Sequence, residues 1–249
     1  MENTQSELSQ IIEYRNLKKF AQLILNENKK CIDAVLLAVV QAGWFQGVEF
    51  LLKETNASIQ EVTPSKNTAL HFAAREGNVE IIQILLKFGS EVSSRNSAQQ
   101  TPVMYAATAG NFAALQKLLQ IKQDIQAIDA SGRSALDLSC VGALNAQGED
   151  EDDDSSSYAQ CVQALLTAGS HPKNALSLVR DALPKIQSEK KQHLVGRILH
   201  MLETSMNQFD QEAARNAQLL LEEEINERNR TPPTTTNSKR RIKKQKKKN

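Results

Sequence analysis

The chain has 249 residues, 40% hydrophobic and only 4% aromatic, and a formal net charge of +1. That is enough apolar material for a sizeable core in one or two domains, and the abundance of Leu, Ala, Gln, Glu and Lys favours helices over strands. The near-neutral total hides a split, with eight Lys and Arg packed into the last eleven residues and an acidic remainder, so bulk charge excludes no class of partner.

Three widely spaced cysteines, Cys31, Cys140 and Cys161, exclude a disulfide framework and a CxxC metal pattern. They read as buried, reduced thiols in a nuclear or cytoplasmic protein. Met1–Gln10 lacks the apolar core of a secretory signal, so secretion is not expected. No apolar run reaches the roughly 18 residues of a membrane span, and neither end carries a lipidation motif.

In chain order, residues 1–30 hold Ile11-Ile12, Leu17, Phe20 and Leu23-Ile24-Leu25, which predicts one capping helix. Residues 31–172 carry an internal repeat. Thr68-Ala69-Leu70-His71-Phe72-Ala73-Ala74-Arg75-Glu76-Gly77-Asn78 recurs as Thr101-Pro102-Val103-Met104-Tyr105-Ala106-Ala107-Thr108-Ala109-Gly110-Asn111, and the same offset of 33 reaches Ser134-Ala135-Leu136-Asp137. Leu85-Leu86 maps onto Leu118-Leu119 in the same register. Thr68, Thr101 and Ser134 suit helix N-caps, Pro102 the first helical position, and Gly77 and Gly110 the left-handed residue that ends a helix. A degenerate copy precedes these at Leu36–Gly43. In the fourth copy Ser134 to Gly142 reads as the first helix. The second, Tyr158 to Gly169, arrives about 14 residues late. The insert, an acidic loop near 145–157 containing Glu149 to Asp154, cannot bury itself and is expected to be disordered. A fixed period of this length predicts stacked helical hairpins.

These residues resemble the ankyrin-repeat family, whose marker is T-P-L-H-x-A at a 33-residue period. Residues 68–73 match four of its five specified positions and residues 101–106 match three. The resemblance implies an all-α solenoid of about four repeats that binds protein partners through a concave groove and its loop tips, without catalysis. The groove positions it implies are Phe72, Arg75, Glu76, Tyr105 and Thr108, with Phe72 and Tyr105 as aromatic anchors. The loop tips fall near Ser65-Lys66, Ala98-Gln99 and Ser131 to Arg133.

Past the repeats, 173–206 reads as a divergent helical cap around Pro184. Residues 207–230 form a charged helix with a narrow apolar stripe of Phe209, Ala213, Ala217, Leu220 and Leu221, suited either to weak packing on the last repeat or to a partner's groove. Residues 231–249 form a disordered basic tail. Its Lys239, Arg240, Arg241, Lys243, Lys244, Lys246, Lys247 and Lys248 have the form of a nuclear localisation signal read by an importin. The same charges would hold RNA, ribosomes or DNA through phosphates, without base stacking, because no aromatic residue interleaves them.

No nucleophile elbow, P-loop or dinucleotide fingerprint occurs. His71 falls at the family's structural histidine, and His193 and His200 lack Cys or carboxylate partners at ligand spacing. No catalytic residue, cofactor or metal is expected, and the chain is expected to be a monomer.

Overall fold

The computed structural model describes residues 2–24, 29–55, 57–60, 63–121, 124–146 and 157–230. The expected acidic loop falls almost wholly, and the basic tail wholly, outside them. The chain divides into two compact units, Met1–Met206 and Asn207–Asn249.

The first unit is a stack of helical hairpins: α1 (Glu2–Glu13) with α2 (Leu17–Ile24), α3 (Lys29–Gln41) with α4 (Phe45–Glu54), α5 (Ala69–Glu76) with α6 (Val79–Lys87), α7 (Pro102–Ala109) with α8 (Phe112–Leu119), and α9 (Ala135–Asn145) with α10 (Ser157–Thr167). Then come α11 (Lys173–Ala182), a 3-10 turn at Leu183–Lys185 that includes Pro184, and α12 (Glu189–Arg230). No strand occurs among the described residues; a lone antiparallel bridge joins Ile128 to Ser134. Helices α3, α5, α7, α9 and α11 pack in sequence as an inner row, and α2, α4, α6, α8 and α10 as an outer row.

Local chemistry explains the repeat. The Thr68 N–H donates to His71 Nδ1, and the Ser134 N–H donates to Asp137 Oδ2. These bonds satisfy donors that a helix start leaves unpaired. Gly77 (φ 76°) and Gly110 (φ 70°) end the inner helices in the left-handed conformation. The outer helices then bury Ile81, Ile82 and Leu85, or Ala114, Leu115 and Leu118, between the rows. Burial runs on continuously through Leu136, Val162, Leu165, Val179, Leu194, Val195, Ile198 and Leu202.

Three elements differ from expectation. Residues 1–30 hold two helices rather than one, because Arg15 turns left-handed (φ 50°) and Asn16 Oδ1 accepts the Lys19 N–H to start α2. Phe20 of α2 closes the stack edge-on against Trp44, 4.9 Å between ring centres. Helix α9 passes Gly142 and ends at Asn145. The residue one period after Gly110 is Ala143, which lacks the freedom to stop a helix there. Finally, one helix, α12, supplies both the second half of the cap around 173–206 and the charged helix of 207–230.

Candidate interaction surface

Between hairpins the chain forms three fingers in 33-residue register. A polar side chain closes each finger at its base. Thr63 Oγ1 accepts the Asn67 N–H at 3.1 Å. Asn96 Oδ1 accepts the N–H groups of Ala98 and Gln100, both at 2.9 Å. Asp129 Oδ1 accepts those of Ser131 and Arg133, at 2.8 and 2.9 Å. The tips, Lys66, Gln99 and Gly132, are all left-handed (φ 59°, 59° and 75°). Neighbouring fingers are stitched together, since Ser97 N–H donates to Ser65 O and Ala130 N–H to Ala98 O, each at 2.9 Å. Arg95 Nη1 adds a bond to Ile128 O at 3.0 Å.

The fingers are also tied to the inner helices. His71 is buried, accepts at Nδ1 from Thr68 N–H, and therefore carries its proton on Nε2, which donates to Gln100 O at 3.0 Å. Burial holds its pKa below the ordinary histidine value, although the bonds to Gln100 and Ser94 oppose this. Tyr105 stands edge-on to His71, and its hydroxyl donates to Asn67 Oδ1 at 2.9 Å while accepting from Asn96 Nδ2 at 3.0 Å. Arg133 donates through Nε and Nη2 to Asp129 Oδ2 at 3.1 and 2.9 Å. Burial alone would raise the Asp129 pKa; the hydrogen bonds from Arg133 and Ser131 and the Arg133 charge outweigh it and hold the carboxyl below its usual range.

The expected groove residues therefore separate. Phe72 is only 6% exposed, so it is a core residue and not a protruding anchor: its ring faces into the stack, with the Arg75 guanidinium 5.4 Å above it. Tyr105 is half-buried and its hydroxyl is committed within the fold. Arg133 braces its own finger. What faces solvent is the Arg75–Glu76 pair, joined at 2.8 Å, together with Thr108 on the next helix, whose hydroxyl donates to Met104 O at 2.7 Å. Sequence reasoning passed over Ile128, 51% exposed at the base of the third finger. Its signal was an aliphatic residue one period after the exposed Arg95. Of the pair Trp44-Phe45, Trp44 is core and Phe45 is 39% exposed.

Burial pushes the Cys140 thiol up to about 12, with the Asp137 charge adding to it, and burial pushes Cys161 up to about 12 as well. Neither is a poised nucleophile. Among the described residues no group of three His, Cys, Asp or Glu could hold a metal ion, and no helix is long and apolar enough to cross a membrane.

Comparison with known proteins agrees with the geometry. A family model described as "Ankyrin repeats (3 copies)" matches residues 8–96, and one described as "Ankyrin repeats (many copies)" matches residues 76–119. The first match starts within α1. Two relatives are both named protein phosphatase 1 regulatory subunit 27: the human protein is 30% identical and the mouse protein 28% identical over 71 residues. That stretch is 28% of this chain, and it spans 46% of each relative.

Proposed function

Because this chain belongs to the ankyrin-repeat family, a family of protein-interaction scaffolds, we propose that it is a non-enzymatic adaptor that binds its partner along the inner helices and the finger row. The observation that carries this reading is the stitched row of fingers. Bonds from finger to finger fix the spacing of Arg95, Gln99 and Ile128 before a partner arrives, beside the exposed Arg75, Glu76 and Thr108 of the inner helices. Pre-organisation of this kind lowers the ordering cost of binding. Ile128, with the Arg95 guanidinium bonded to its carbonyl oxygen, combines apolar contact with a planar cation, a pairing that suits a binding hot spot.

The named relatives support a regulatory adaptor for a protein phosphatase. The test is titration of purified protein phosphatase 1 catalytic subunit onto the full chain by calorimetry. Binding is expected, and Ile128→Asp and Arg75→Glu should each weaken it by at least about 1 kcal/mol with helical circular dichroism unchanged. No binding would remove the phosphatase reading. Binding that neither variant alters would remove the finger row.

The eight cations of 239–248 favour a second role for the tail as an import signal, the alternative being attachment to RNA, ribosomes or DNA. A fluorescent fusion lacking residues 237–249 should lose nuclear enrichment. If the deletion instead abolishes a strongly salt-dependent sedimentation with ribosomes, the alternative holds.

A further inference from the structure

The charges of the finger row are unevenly committed. In the finger segments 63–67, 95–100 and 128–133 the charged residues are Lys66, Arg95, Asp129 and Arg133. The last two cancel, since the Asp129 carboxylate is buried and Arg133 pairs with it at 2.9 Å. On the neighbouring inner helix Arg75 and Glu76 cancel in the same way. Lys66 and Arg95 are exposed, and neither pairs with a carboxylate among the described residues. Glu91, the exposed carboxylate nearest to Arg95 along the chain, lies in the turn before the finger. The row therefore carries a positive field.

Arg95 is aimed by its own bonds. Its Nη1 donates to Ile128 O at 3.0 Å and to Gln99 O at 3.4 Å. Both bonds leave from Nη1, so among the described residues the N–H groups of Nε and Nη2 are not used. Those two groups share one edge of the guanidinium, an edge that grips a carboxylate through two parallel hydrogen bonds. The Nη1 bond also ties the guanidinium to the backbone of Ile128, whose side chain is 51% exposed. An isolated surface ion pair contributes little. A pre-aimed fork next to an apolar contact that excludes water contributes more.

We propose that the finger row selects an acidic and apolar peptide segment of the partner: one carboxylate is gripped by Arg95, an adjacent aliphatic side chain covers Ile128, and a second carboxylate reaches Lys66. The inference rests on the adaptor reading, which supplies the face, and adds the chemistry that the face selects. A basic segment would meet two like charges. Nucleic-acid phosphates would satisfy Lys66 and Arg95 but would leave Ile128 uncovered, and the finger segments hold no aromatic residue on which a base could stack.

The test is selection of a random peptide display library on the full chain, followed by fluorescence anisotropy with the selected peptides. Enriched peptides should carry carboxylates next to an aliphatic residue. Arg95→Gln and Ile128→Ser should each weaken them at least about fivefold, and Lys66→Gln about twofold, with circular dichroism unchanged. The basic tail also attracts acidic peptides, but by charge alone, so a peptide held there ignores Ile128→Ser. Arg95→Lys should restore only part of the binding lost in Arg95→Gln, because lysine lacks the fork. Charge exchange is the sharper check. Arg95→Glu should release the acidic peptide and take up the same peptide with lysine in place of the gripped carboxylate.

Each contrary result has its own meaning. Selected peptides without carboxylates that still lose binding in Ile128→Ser keep the finger row as the binding face and overturn the acidic partner. Peptides that none of these substitutions affects, or no enrichment at all, overturn the site. Oligouridylate held through Lys66 and Arg95 more tightly than any selected peptide overturns the proposal in favour of nucleic acid. Failure of the phosphatase titration alone leaves this test unaffected.

Discussion

His71 uses both ring nitrogens inside the fold, one accepting from Thr68 and the other donating to Gln100 of the next finger. A protonated ring could not accept from Thr68, so the fold requires the neutral form. Its folded pKa is held below the unfolded value, about 6.5. The unfolded chain therefore binds more protons between the two values. The stabilisation is full above about 6.5 and is lost as pH falls through the folded pKa. We expect the urea midpoint of the wild type to drop on acidification below about pH 6.5, and the drop to be smaller in His71→Gln. At neutral pH His71→Leu should lose about 1–3 kcal/mol for the unpaired Thr68 N–H and Gln100 carbonyl. A parallel pH profile in His71→Gln would reject this assignment. Cys140 and Cys161 offer a second check at the same scale. With thiols held up at about 12, neither should react with a disulfide reagent at pH 8 in a Cys31→Ser background until the chain is unfolded. The repeat register marked His71 as structural; that it bridges two repeats became visible only when Gln100 was placed beside it.

At the scale of the element, Tyr158 stands near the start of α10, the helix that follows the insert, and packs against the core. Side chains at the N-caps of the outer helices cover the glycine that follows the inner helix of the preceding hairpin: a Cβ on Gly43 would lie 3.2 Å from Asn78, and one on Gly77 would lie 2.9 Å from Asn111. Tyr158 takes this role over Gly110, and a Cβ on Gly142 would come within 2.5 Å of its ring and 2.6 Å of the Thr108 carbonyl oxygen. Gly142 is therefore the space that admits a tyrosine where the other repeats use an asparagine. Gly142→Ala should destabilise by about 1–3 kcal/mol as an overpacked site, read as a lowered chemical-denaturation midpoint. In a Tyr158→Asn background the penalty should shrink without vanishing, because the Thr108 oxygen remains. Equal penalties in both backgrounds would break the coupling. At the other stem, Lys191 Nζ donates to Ala146 O at 3.0 Å. The composition of the insert was plain in the sequence, but the pairing of Tyr158 with Gly142 was not, since it joins different helices across the late return.

Taken whole, the molecule keeps its core in one unit. Every buried hydrophobic residue among those described lies between Ile12 and Leu202. Ending the chain at Met206 should change the stability of the repeat unit by no more than about 0.5 kcal/mol, as for surface changes, measured by denaturation at low protein concentration. A large loss of stability at low concentration would mean that 207–230 contributes to the core.

The sequence by itself determined the period, the caps at Thr68, Thr101 and Ser134, and the glycine stops at Gly77 and Gly110. Each of these is decided within a few residues by hydrogen bonding and backbone freedom, and the same chemistry returns every 33 residues. Only the tertiary structure decided that Phe72 is buried beneath Arg75, that Ile128 is bare, and that Leu219–Leu221 face solvent. Exposure depends on what a neighbouring hairpin places against a side chain, and a periodic pattern specifies the helix face without specifying what covers it.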